Sequence, residues 1–312
     1  MTLYFLSDYG LEDEFVGVVH AVLDRLAPGV PVVDLTHGVA PFDVAAGAAA
    51  LARCAPFLGA GAVVAVVDPG VGTDRRSVAV EVDPGRAGPQ WLVGPDNGLL
   101  LPAADVLGGA RSVVVLDPPR LPAAAVRPAT TPATTFDGRD VFAPAAAHLV
   151  TGGDPGLLGG PSEVASLVPG PVSAAVADQV GRDEHGVRLA TSVVGVDRFG
   201  NVQLAATAPA LVALGLGVGD TVSVSVSSGH APGDGPAVGT GRHRPDTASA
   251  VTATVVRAFA ACPAGGLGLL VDAAGHLALV AARASAADHL AAGGGAGPFG
   301  LVGAEVRLER GT

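Results

Sequence analysis

Residues 2–36 read TLYFLSDYGLEDEFVGVVHAVLDRLAPGVPVVDLT. The opening TLYFL is a short apolar run that ends at Ser7-Asp8-Tyr9-Gly10, which predicts a strand delivering a carboxylate into a turn. Phe15, Val16, Val19, Ala21, Val22 and Leu26 then recur at helical spacing until Pro28-Gly29 stops the pattern. VPVVDL returns to β-branched residues and predicts a second strand. Strand, helix and strand in that order predict an α/β domain with a mostly parallel sheet.

Downstream the alternation continues. A Pro41-capped, Ala-rich helix is expected over about 43–56, then a strand, AVVAVV, that ends in Asp68-Pro69-Gly70-Val71-Gly72. SVAVEV alternates, and WLVGPDNG runs a strand into a turn. Pro118–Pro132 is a Pro/Ala-rich connector. After about residue 170, helical spacing largely gives way to short β-rich runs such as GVRLATSVVGVD, DTVSVSVS and HLALVAA, separated by Gly, Asp and Pro turns. This predicts a smaller all-β barrel or sandwich. The expected domains are therefore 1–170 and 171–312, with a mobile surface loop over 228–248.

The bulk composition narrows the function. Of 312 residues 49% are apolar and 15% charged, enough apolar material for two cores. The net charge is −11 and no run of Lys or Arg exists, so a nucleic-acid partner is not expected. A cationic small molecule suits that charge. Cys54 and Cys262 are too few for a disulfide framework or a zinc site and read as buried small apolar residues. The start lacks a basic, long apolar leader and no apolar run reaches the ~18 residues of a membrane helix, so a cytoplasmic protein without a membrane partner is expected.

Polar residues cluster where strands end, the place where open α/β sheets bind ligands. The clusters are Ser7-Asp8-Tyr9-Gly10; Asp68 to Arg75-Arg76; Gly94-Pro95-Asp96-Asn97-Gly98; and Thr135-Phe136-Asp137-Gly138-Arg139-Asp140. A fifth, Asp197-Arg198-Phe199-Gly200-Asn201, opens the β-rich half. Singly, DPG and DNG are ordinary turn signals, a strand-end carboxylate can simply cap a helix, and Arg139-Asp140 can be a structural ion pair. The DPGVG stretch is not a Walker loop, because no Gly-Lys-Ser/Thr follows. His37 and His148 read as structural, His230 and His243 as solvated, and none has metal-ligand spacing with another His or Asp.

Taken together and in order, SDYGLEDEFVG, VDLTHGVAPFDVAAGA, VDPGVGTDRRSVAVEV, VGPDNGLL, TFDGRDVFAPAAAHL and VDRFGNVQL resemble the S-adenosyl-L-methionine (SAM) hydroxide adenosyltransferase family, relatives of fluorinase and chlorinase. The resemblance spans residues 3 to about 205. It implies an enzyme that cleaves SAM at ribose C5′ with water, giving adenosine and L-methionine without a metal or other cofactor. It also implies a homotrimer in which residues 1–170 of one protomer and 171–312 of the next enclose the ligand. By position Asp8 would hold the ribose diol, Asp13 the methionine ammonium, and Phe42 the ribose and sulfonium end. Asn97, Phe136, Gly138 and Asp197 would line the substrate, Asn201 with Phe199 would read it from the neighbouring protomer, and Phe259 would stack on adenine.

The nucleophile turns on three residues. Hydroxide-transferring members resemble one another in an Asp–Arg–His trio, and halogenases replace the Asp and the Arg. Asp68 and Arg75 match the water-using pattern, but Asp137 stands where the family has His. Three outcomes stay open: a carboxylate pair sharing a proton as a different general base, a SAM-binding protein with little turnover, or contact with another nucleophile, a halide being disfavoured by Asp68. A metal-dependent hydrolase is a further reading, suggested only by the many strand-end carboxylates. A second departure is Asp272-Ala273-Ala274-Gly275 with Ala281-Ala282-Arg283, where the family has Asn-containing turns near adenine and methionine.

Overall fold

The computed structural model describes residues 1–82, 90–121, 135–170, 179–183, 186–227, 250–291 and 301–310. The 228–248 loop, the connector beyond Leu121, His230 and His243 lie outside these residues. The chain divides into two compact units, Met1–Ser173 and Ala174–Thr312.

The first unit is built on β1 (Thr2–Ser7), α1 (Phe15–Leu26), β2 (Val32–Thr36), α2 (Val44–Cys54), β3 (Gly61–Val66), β4 (Ser77–Val82) and β5 (Gln90–Pro95). It continues with α3 (Leu101–Val106), β6 (Ala110–Leu116), α4 (Ala143–Val150) and β7 (Gly159–Ser162). The seven strands lie in the order β2-β1-β3-β5-β4-β6-β7. β2, β1, β3 and β5 are mutually parallel, whereas β4 pairs antiparallel with β5 and β6, and β7 antiparallel with β6. Five strands thus point one way.

β3 shows why the sheet sits inside. All six of its residues are buried. Ala62, Val64 and Val66 face the core under α1 and α4, while Val63 and Ala65 face the core beside α2 and α3. An unbroken apolar run is what a strand covered on both faces requires. The α2 helix starts at Asp43, whose side chain accepts the Ala46 N–H at 2.9 Å. Asp43 therefore supplies the cap that Pro41, lacking any acceptor side chain, cannot.

The second unit contains β8 (Gln179–Asp183), β9 (Gly186–Val196), β10 (Val202–Thr207), α5 (Ala208–Ala213), β11 (Thr221–Val226) and β12 (Val251–Val255). Then follow β13 (Leu267–Val271), β14 (His276–Ala281), α6 (Ala286–Ala291) and β15 (Glu305–Arg310). The order β10-β14-β13-β12-β11-β15-β9 closes on itself through β9–β10 pairing, with β8 added on β9. This is a seven-stranded barrel, so of the two expected architectures the closed one forms. Alternate residues fill its interior: Val202, Leu204 and Ala206; Leu267 and Leu269; Leu277 and Leu279; Val306 and Leu308.

Candidate active site

In the first unit the order β2-β1-β3 reverses the direction of travel at β1. The crevice at the carboxyl ends of β1 and β3 is therefore the topological switch point, where such sheets bind ligands. Asp8 follows β1, and its backbone N–H is held by the Val66 carbonyl of β3 at 3.2 Å. Asp68 lies two residues beyond β3, and Arg75 two residues before β4, whose start is at the same end of the sheet.

Arg75 joins the pieces. Its Nε and Nη2 donate to the two oxygens of Asp68 at 3.0 and 2.5 Å, Nη2 also donates to Asp137 Oδ2 at 2.7 Å, and Nη1 donates to Ser77 Oγ at 2.6 Å. The guanidinium also stands 5.5 Å over the Phe142 ring. These side chains are nearly enclosed, at 9% exposure for Arg75, 6% for Asp68 and 18% for Asp137. A planar, permanently charged fork is the group that can hold two carboxylates in one place. Burial pushes the Asp68 carboxyl up; Arg75 pulls it down and the charge of Asp137 raises it, with the balance above the usual range.

Asp137 stands at the N-terminal end of a π-turn, Gly138–Phe142, that runs directly into α4. Gly138 has no side chain because the Tyr9 hydroxyl occupies the space: a Cβ there would lie 2.3 Å from Tyr9 Oη. The Tyr9 ring packs edge-on against Phe5 and Phe136, and Phe15 completes the aromatic group. Burial, followed by the negative charges of Asp8, Asp68 and Asp137, pushes the Tyr9 phenol far up, so it keeps its proton. Sequence reasoning passed over Tyr9, because nothing in SDYG reveals that its hydroxyl reaches Gly138, next to Asp137.

Phe42 is anchored to Asp8, whose Oδ2 accepts the Phe42 N–H at 2.9 Å. It sits at φ +68° with 70% of its surface exposed, a conformation uncommon for a bulky residue. Strained backbone held by a neighbouring functional group is a feature of ligand sites. Asp13 is exposed ahead of α1. Asn97 is committed to the backbone: Nδ2 donates to the Val67 carbonyl at 2.8 Å, and Oδ1 accepts the Leu99 N–H. It fixes the residue before Asp68. Asp96 accepts from Arg76 and from the Val168 N–H, and Arg139 forms a bidentate pair with buried Asp140 at 2.7 and 2.8 Å; both are structural locks.

In the second unit, residues 197–201 form the β9–β10 connection. Asp197 Oδ1 accepts the N–H groups of Phe199 and Asn201 at 2.9 Å each, and Oδ2 accepts from Asn201 Nδ2 at 2.7 Å. Gly200 has φ +78°, and a Cβ would lie 2.1 Å from Ser285 Oγ. Phe199 and Phe259 are left 72% and 50% exposed. Asp272 organises the β13–β14 turn, its Oδ1 accepting the N–H groups of Ala274 and His276, and its Oδ2 accepts from Gln203 Nε2 of β10 at 2.8 Å, tying the turn to the neighbouring strand.

Residues 3–159 match the SAM hydroxide adenosyltransferase N-terminal domain, and residues 191–297 match the C-terminal domain. An (R)-S-adenosyl-L-methionine hydrolase of Salinispora arenicola is 42% identical over 287 residues, covering 92% of both chains. One from Salinispora tropica is 46% identical over 210 residues, covering 67% of this chain and 74% of that one. The crystal structure of an uncharacterized conserved protein from Thermotoga maritima matches with a TM-score of 0.77 at 27% identity, covering 99% of this chain and 100% of that one. Two domain matches in the expected order, a relative similar from end to end, and the arginine-bridged carboxylates at the switch point agree: the chain belongs to the SAM hydroxide adenosyltransferase family.

Proposed function

We propose that this enzyme hydrolyses S-adenosyl-L-methionine by attack of water on ribose C5′, releasing adenosine and L-methionine. The observation that carries this reading is Arg75 bridging Asp68 and Asp137 in a nearly closed pocket at the β1/β3 crevice. The water oxygen bonds to C5′ as the C5′–S bond breaks. Sulfur keeps the electron pair and becomes the thioether of methionine, and one water proton leaves through Asp68. A sulfonium is already a good leaving group, so the protein has chiefly to orient water and relieve it of a proton.

Asp68 is the base, and Arg75 fixes its orientation. Asp137, held on the same guanidinium, presents a second acceptor where the family has an imidazole. Tyr9, protonated beside them, is the hydrogen-bond donor that steadies the water. A halide placed there meets two carboxylates against one guanidinium and is repelled, whereas the sulfonium cation is attracted. Asp8 takes the ribose hydroxyls, with Phe42, Phe136 and Gly138 shaping that side, and Asp13 takes the ammonium group. The assembly in this reading is a homotrimer, in which Asp197, Phe199, Asn201 and Phe259 serve a neighbouring copy.

The test is incubation with SAM in water enriched in heavy oxygen, followed by mass detection of the products. Adenosine carrying the label, with an equal amount of methionine, is the expected result. Unlabelled adenosine, or SAM recovered unchanged, defeats the reading.

A further inference from the structure

Outside the active site, α1, β2 and the residue just past β2 bring together a second polar group. His20 Nε2 stands 2.8 Å from Asp34 Oδ1, and His37 Nε2 stands 3.1 Å from the same oxygen. All three ligand-type atoms lie within 4.8 Å of one another, the one such convergence among the described residues. The sequence hides it, because the residues come from a helix, a strand and a turn.

His37 is the informative member. It is only 5% exposed, and its Nδ1 lies 2.8 Å from Ser7 Oγ, while its ring packs edge-on against Phe5 at 4.5 Å. Its buried Nε2 has no hydrogen-bond partner of acceptable geometry and is aimed at Asp34. In the tautomer that donates Nδ1–H to Ser7, Nε2 presents a lone pair beside the Asp34 carboxylate, which a shared cation would satisfy. An imidazole oriented by a hydrogen bond from its other nitrogen is the arrangement of a metal-bound histidine. Two imidazoles and a carboxylate are donors that suit zinc or a similar divalent transition ion. Ligand atoms around tetrahedral zinc stand about 3.3 Å apart, so small outward shifts of His20 and Asp34 complete the geometry. Those two side chains are 35% and 42% exposed, which leaves room for their movement and for water as a fourth ligand.

We propose that His20, Asp34 and His37 bind a divalent transition metal ion, zinc being the best fit, which staples α1 to the end of β2. The site is separate from the Asp68–Arg75–Asp137 group, and its role is structural.

The experiment starts from full-length protein stripped with chelator. Zinc uptake is measured by calorimetry and unfolding temperature, and cobalt uptake by visible absorption. One ion per chain, a tetrahedral cobalt spectrum and a rise in unfolding temperature are expected for the wild type. Asp34→Asn, which keeps the shape of the side chain, and His20→Gln, which keeps a donor to Asp34, should each weaken zinc binding at least tenfold and abolish the cobalt band. Absence of uptake in the wild type, or equal uptake in both variants, overturns the proposal.

Discussion

The Asp68–Arg75–Asp137 group and the Asp197–Asn201 loop both place polar side chains where strands end, yet they are held by opposite means. In the first, Asp68 and Arg75 share one segment, Asp137 joins them from 62 residues beyond Arg75, and both carboxylates lean on one guanidinium. In the second, Asp197 satisfies neighbours two and four residues away, so local bonds shape the loop, with the Gly200 carbonyl accepting the Ala287 N–H from outside it. The first is enclosed; the second holds Phe199 out into solvent. A site that does proton chemistry needs shifted acidities and therefore burial with charge partners. A surface that only greets a ligand or a neighbouring copy needs a shape fixed in advance, which local bonds supply.

The strongest test of that contrast is Asp68→Asn. It keeps the volume and removes the base, and should lower kcat by about 10²–10⁴-fold with SAM still bound. Retained adenosine production would remove Asp68 from the mechanism. Next in size is Gly200→Ala in that locally bonded loop. The added methyl group meets Ser285 at a left-handed position, and thermal unfolding should report a loss of about 1–3 kcal/mol. The same loop should tolerate Phe199→Ala in its fold, with stability changed by less than about 0.5 kcal/mol. That variant should instead raise KM about tenfold, equivalent to roughly 1.4 kcal/mol of binding. An unchanged KM would take Phe199 out of substrate contact.

The smallest effect, and the sharpest, is in the pH profile. A base works ionised and is lost as pH falls through its pKa. Burial, with the charge of Asp137 adding to it, lifts Asp68 above the usual carboxylate range against the pull of Arg75, so the acid limb of kcat/KM should lie above that range. Asp137→Asn removes a like charge and gives Arg75 wholly to Asp68. The limb should then move to lower pH, and a limb that stays put would mean that another group titrates.

The α/β layout was legible because the β-branched VPVVDL and the unbroken apolar AVVAVV have helical spacing between them. The antiparallel pairings of β4, β6 and β7 were not, since alternation in SVAVEV sets burial and says nothing of direction. Among site residues, Asp68 and Arg75 were marked by their segment and its family likeness. The commitment of Asn97 to the Val67 carbonyl, the turn of the Tyr9 hydroxyl toward Gly138, and the meeting of His20 with Asp34 and His37 are long-range events. Each depends on how separate elements stack, which no local pattern encodes. Asp43 as the α2 cap was legible in principle, as a side-chain acceptor just ahead of the apolar stripe.

The π-turn at Gly138–Phe142 ties the meeting of Asp137 with Arg75 to a count of residues. Such a turn accommodates one residue more than the α-helical repeat does. Deleting one residue there would restore an ordinary helix and rotate everything before it by about 100° relative to α4. Asp137 would swing away from Arg75 while the Ala-rich helix kept its seat. Single-residue insertion and deletion at this turn is thus a phase switch, by which a lineage can retire or re-aim this position in one genetic step without rebuilding the fold.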